Sequence, residues 1–118
     1  MKSVRVVLID EAGAKYQSLQ ERASLSKKEL AIVESIRNKA EIIKKDVHYG
    51  VPVNKKLIPA LYRSNYDIKN LFRVELPYFW RMLYTLKNDP GDSNSILAVI
   101  LDIVDHNEYD RLFGYKGK

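Results

Sequence analysis

Residues 71–86 read LFRVELPYFWRMLYTL, and three of them carry side chains suited to chemistry on a phosphate: Arg73, Glu75 and Arg81. A guanidinium stays charged at physiological pH and presents a planar fork of N–H donors that matches phosphate oxygens. A carboxylate beside two such groups can accept a proton or hold the arginines in place. Two arginines and a carboxylate on one side of a sheet suit an RNA-cleaving site. They equally suit a solvated sheet face, where a cross-strand Glu–Arg pair contributes only ~0.2–1 kcal/mol.

Register decides whether they share a side. If Pro77-Tyr78-Phe79 forms a hairpin loop, Leu76 pairs with Trp80, Glu75 with Arg81, Val74 with Met82 and Phe72 with Tyr84. Phe72, Val74, Leu76, Trp80, Met82, Tyr84 and Leu86 then form an apolar face, and Arg73, Glu75, Arg81, Leu83 and Thr85 form the other. A loop one residue shorter mixes polar and apolar residues on both faces, so the longer loop is expected. In the next strand Leu97, Val99, Leu101 and Ile103 share a wholly apolar parity and are expected to face the helices. Asp102 then falls on the open face with Arg73, Glu75 and Arg81, giving a polar centre ringed by apolar residues, as in a cleft.

The elements that must position this face are legible as patterns. Ser3 to Ile9 is β-branched and compact, a first strand. A helix opens at Asp10 or Glu11 with Ala12, Tyr16, Leu19 and Ala23 on one stripe. Ser26 and Glu29 have capping-box spacing, and the helix they start is expected to reach about Val47 with Leu30, Val33, Ile36, Ala40 and Ile43 buried. Residues 51–70 read as a basic loop with one short helical turn. Strands over 70–76, 80–88 and 95–104 follow, the last two joined by a turn at 88–94. Asp105 caps a short tail segment. The expected fold is a single α+β domain over 1–118, in the order β-α-α-β-β-β. Two N-terminal helices pack on one face of a small, largely antiparallel four-stranded sheet, and a short tail segment ends the chain.

Composition narrows the classes. The 118 residues carry a formal charge of +5 and a pI near 9.4, a balance that favours polyanions or acidic protein partners. Cysteine is absent, which excludes disulfides, thiol nucleophiles and cysteine-type zinc sites. No Gly-rich phosphate loop, Ser-centred nucleophile elbow or His/carboxylate cluster at metal spacing is present. Neither a metal nor another cofactor is therefore expected. The longest apolar run, 96–101, is too short to span a bilayer, and no charged-then-apolar leader follows Met1. A cytoplasmic protein with no membrane partner is expected.

The stretches NLFRVELPYFWRMLYTL and ILAVILDIVDHNEYDRLFGY resemble the RelE/ParE superfamily, the toxins of type II toxin–antitoxin modules. The first is a hairpin carrying Arg-hydrophobic-hydrophobic-Tyr, and the second is a last strand running into a His/Tyr/Arg-rich tail. The resemblance implies a RelE-like fold. It also implies a metal-independent endoribonuclease that cleaves mRNA on the ribosome and is silenced by a cognate antitoxin protein.

In that chemistry the RNA 2′-hydroxyl attacks the adjacent phosphate, which calls for a base, for cations at the phosphorane and for an acid at the leaving 5′-oxygen. By position Arg81 matches the family's hairpin arginine, for phosphate and transition-state stabilisation, and Arg73 stands where a lysine is usual. Glu75 replaces a second lysine and is either a base or a neutraliser of the arginines. His106 is placed as the proton shuttle, since imidazole titrates nearest neutrality. Tyr109 and Tyr115 are both candidates for the tail tyrosine. Lys55, Lys56, Arg63, Lys69 and Arg111 would hold RNA by its phosphates, and Tyr78 or Phe79 could stack on a base. The alternatives are a ParE-like toxin acting on gyrase and a RelE-fold binding module without catalysis, the latter favoured by Glu75 in place of a lysine.

Overall fold

The computed structural model describes residues 3–114, arranged as a five-stranded mixed sheet with four α-helices. Strand β1 (Ser3–Leu8) leads into helix α1 (Asp10–Ala23), which a tight turn joins to α2 (Lys27–Lys45). The Ser26 hydroxyl accepts from the Glu29 backbone N–H at 3.4 Å, so the expected cap is in place. A two-residue strand β2 (Val51–Pro52), a turn at Lys55–Leu57 and helix α3 (Ala60–Tyr66) follow. The chain closes with β3 (Phe72–Glu75), β4 (Arg81–Asn88), β5 (Ser95–Val104) and helix α4 (His106–Leu112). Across the sheet the strands run β1-β5-β4-β3-β2, antiparallel except for β1, which lies parallel to β5.

The α+β class holds, but four largely antiparallel strands is corrected to five in a mixed sheet, and the order gains β2 and α3. The extra elements come from residues 51–70, read from sequence as mainly loop. Their Pro and Lys content hides Ile58, Tyr62 and Ile68, which are buried with Leu71 against the sheet. The hairpin register is as expected, with Phe72 opposite Tyr84, Val74 opposite Met82 and Glu75 opposite Arg81. Phe72, Val74, Leu76, Met82 and Tyr84 accordingly pack against α1 and α2. The buried stripe of α2 is rotated from expectation: Ile32 is fully buried with Val33, Ile36 and Ile43, while Leu30 is 42% exposed.

Strand β5 departs further. Leu83 pairs with Asp102 and Tyr84 with Ile100, so Leu101 is an extra residue, a β-bulge. Alternation slips there by one. Ala98, Ile100 and Ile103 face α1 and α2, whereas Leu97, Val99 and Leu101 join the second core under α3 and α4. The expectation that all four of Leu97, Val99, Leu101 and Ile103 face the helices is thus overturned for the first three. A strand apolar on both sides needs a layer on each, and the 53–71 segment with α4 supplies the second. Over β5 the sheet face read as open is covered, whereas Glu75 on β3 stays exposed on that face.

Gly50 sets the turn between α2 and β2. A Cβ there would come within 2.9 Å of the Tyr84 ring and 3.1 Å of the Arg73 carbonyl. Glycine lets the turn approach closely enough for the Gly50 N–H to donate to the Tyr84 hydroxyl at 3.0 Å, which in turn donates to the Val47 carbonyl at 2.8 Å. Among the described residues no helix is long and apolar enough to cross a membrane.

Candidate active site

The β3–β4 hairpin and the start of α4 bring five of the six candidate catalytic residues together. Glu75 and Arg81 face each other as a cross-strand pair, and Arg73 precedes Glu75 by two residues on the same side of β3. The Glu75 carboxylate spans both arginines, with Oε2 at 2.9 Å from Arg73 Nε and Oε1 at 3.4 Å from Arg81 Nε. Asp105 accepts from the Glu108 N–H at 2.8 Å, which starts α4 where β5 ends and turns His106 toward the hairpin. Arg81 Nη1 lies 3.2 Å from His106 Nδ1 and 2.9 Å from the Phe79 carbonyl. A guanidinium only donates, so Nδ1 accepts, and the ring proton sits on Nε2, 3.3 Å from Asp110 Oδ2.

Tyr109, only 4% exposed, is the platform of the group. Its ring centroid is 4.5 Å from the Arg81 guanidinium carbon, and its hydroxyl accepts from Arg73 Nη1 at 3.1 Å. Stacking and hydrogen bonding thus fix both guanidinium groups, while Arg81 Nη2 makes no hydrogen bond among the described residues. Tyr115 lies outside the described residues.

Asp102 does not join this cluster. It lies on the expected side of the sheet, but there the second core covers it and the residue is only 7% exposed. Its oxygens accept from Lys15 Nζ at 2.9 Å, Tyr62 Oη at 3.2 Å and the Ile103 N–H at 2.9 Å. Lys15 also donates to Glu108 at 2.7 Å. Burial would lower the Lys15 pKa, but its bonds to Glu108 and Asp102 outweigh that and hold it above the ordinary value. Burial, then the Asp102 charge, pushes the Tyr62 phenol far up.

The expected RNA-contact residues fall in two places. Lys55, Lys56, Arg63 and Lys69 line one cleft of about 460 Å³ whose floor is Ile58 and Ile68. The Arg63 guanidinium donates to the Lys55 carbonyl, tying the turn to α3. Arg111 is exposed on the last turn of α4.

Sequence reasoning missed Asp110, although its spacing of four from His106 on a helix is a readable signal. It also missed Lys39 and Tyr49, which line a cleft of about 230 Å³ beside Arg73 and Glu75. Their pairing, Lys39 Nζ to Tyr49 Oη at 3.1 Å, arises from α2 folding back and leaves no local pattern. Among the described residues no group of three or more His, Asp or Glu side chains is placed to hold a metal ion.

No protein-family model matches this sequence, and no curated protein or solved structure is significantly similar to it. The functional reading therefore stands on the geometry of the hairpin and α4.

Proposed function

We propose that the protein is a RelE-like toxin, a metal-independent endoribonuclease that cleaves mRNA on the ribosome. The observation that carries this reading is the convergence of Arg81 with Glu75, His106 and Tyr109. The α+β layout, two N-terminal helices on the sheet and a short helix after the last strand, keeps the broad architecture that the reading calls for.

The residues divide the chemistry as follows. His106 Nδ1 exchanges its bond from Arg81 for the proton of an RNA 2′-hydroxyl, and Asp110 steadies the imidazolium through Nε2. The 2′-oxygen bonds to phosphorus and the bond from phosphorus to the 5′-oxygen breaks. The products are a 2′,3′-cyclic phosphate and a 5′-hydroxyl whose proton comes from solvent. Arg81, with a donor to spare, and Arg73 take up the charge growing on the phosphorane. Glu75, held between two guanidinium groups, acts as the neutraliser that orients them; of its two expected roles the base is the poorer fit. Tyr109 is a positioning residue beneath them. The cleft of Lys55, Lys56, Arg63 and Lys69 would engage phosphates away from the cut, giving affinity without sequence choice. An acidic antitoxin chain would silence the protein by covering this basic surface.

The test is cleavage of mRNA on programmed ribosomes in the presence of EDTA, comparing wild type with Arg81→Ala. Cleavage that persists in EDTA and disappears in the variant is expected. A folded wild type that leaves the mRNA intact would select the binding-module reading, which the neutralising position of Glu75 favours.

A further inference from the structure

The tip of the β3–β4 hairpin is built against backbone preference. Tyr78 and Phe79 both have φ of +62°, and the Trp80 N–H donates to the Pro77 carbonyl at 3.3 Å, closing a turn around them. Turns with two left-handed central residues favour Asn-Gly, because a side chain crowds its own carbonyl there. Two aromatic residues in those places need a reason, and burial does not supply it. Phe79 is 73% exposed and Tyr78 55%.

The two rings differ in their surroundings. Tyr78 lies under the Lys28 ammonium, 5.7 Å from its centroid, on the side of α2. Phe79 stands on the side of the candidate site. Its ring centroid is 6.1 Å from that of His106, inclined at 59°, and its carbonyl accepts from Arg81 Nη1 at 2.9 Å. One residue therefore anchors the phosphate-binding arginine through its backbone and presents an uncovered aromatic face beside it.

We propose that Phe79 is a nucleobase-stacking subsite, holding the base next to the scissile phosphate while Arg81 holds that phosphate. The ligand class rests on the ribonuclease reading above. A flat apolar ring beside cations matches a nucleotide, which carries a flat base beside an anion. Stacking of this kind accepts any base, since every base has a π-face. With no hydrogen-bonding side chain on the exposed ring, purines are favoured over pyrimidines only by their larger surface.

The backbone conformation makes the idea separable from a structural role. Phe79→Gly removes the ring and relieves the positive φ, so stability and binding should move in opposite directions. Binding is measured by fluorescence anisotropy with a fluorescein-labelled 12-mer 2′-O-methyl oligonucleotide of mixed sequence, whose blocked 2′-oxygens prevent cleavage. Phe79→Gly is expected to raise Tm by about 2–5 °C and weaken binding roughly 5- to 100-fold. Phe79→Trp should bind within about threefold of wild type, and Phe79→Leu, apolar but not flat, should be weakened like the glycine variant.

Wild-type affinity in Phe79→Gly, or in Phe79→Leu, overturns the stacking role, and so does a wild type that does not bind the 12-mer. Cleavage of unmodified mRNA on ribosomes is scored separately. Wild type that binds in a Phe79-dependent way but never cleaves would sink the ribonuclease reading and keep the subsite. Wild type that cleaves with no contribution from Phe79 to binding would do the reverse.

Discussion

Helix α4 stands between two charge clusters of similar composition and different construction. On one side Lys15, Asp102, Glu108 and Tyr62 make a tight group in which the Asp102 side chain is only 10% exposed. On the other, Arg73, Glu75, Arg81 and His106 make a looser one, with side chains of Glu75 and His106 exposed by 57% and 55%. In the first, lysine and phenol protons and a backbone N–H converge on one carboxylate, which keeps little surface for a further partner. In the second, the Glu75 carboxylate and the His106 ring still face outward. Burial turns an ion cluster into a fastener; partial exposure leaves it able to exchange partners with a substrate.

Four perturbations test that contrast, in descending size. Arg81→Ala should lower cleavage roughly 100- to 1,000-fold, as loss of a transition-state cation does, with a far smaller effect on melting. Lys15→Met should do the opposite: it strands Asp102 without its cation and should destabilise the fold by about 2–4 kcal/mol, read by urea titration, while the folded fraction cleaves normally. Tyr109→Phe keeps the ring beneath Arg81 but removes the acceptor for Arg73, and a fall of about 5- to 20-fold in cleavage is expected from single-turnover assays.

The smallest effect is one of pH. Lys15 and Tyr62 both have raised pKa values, so the folded state keeps these protons to higher pH than the unfolded chain does. Their contribution is full below about pH 10 and is lost as pH rises through the folded-state values. The Tm of wild type should fall as pH rises above about 10, and less steeply in Tyr62→Phe. An unchanged slope would remove the buried cluster from the account of alkaline stability.

The hairpin was legible because it is local: Phe72 to Leu86 alternate, a proline marks the tip, and only one register keeps the faces pure. From that register Arg73, Glu75 and Arg81 fall together without any knowledge of the rest. The approach of His106 and Tyr109 rested on a family resemblance, and Asp110 was readable from helix spacing but went unread. The second core was hidden for a physical reason. Ile58, Tyr62 and Ile68 are scattered among lysines, prolines and asparagines, and their common burial depends on a sheet face formed elsewhere in the chain. Asp102 was misjudged with them: a lone charge in an apolar strand looks like an edge of solvent, yet its partners Lys15 and Tyr62 lie 87 and 40 residues away.

The bulge at Leu101 makes β5 a strand that changes phase partway along. Ile100 and Ile103 reach the same core at a spacing of three, a beat that belongs to helices. Everything after that point, Asp102, the end of the strand and the start of α4, is timed by the extra residue. The bulge therefore carries more information than the identity of Leu101. Another aliphatic side chain there preserves the beat, whereas the same residues in plain alternation would carry Asp102 to the side of Ile100 and leave Lys15 and Tyr62 facing a hydrocarbon.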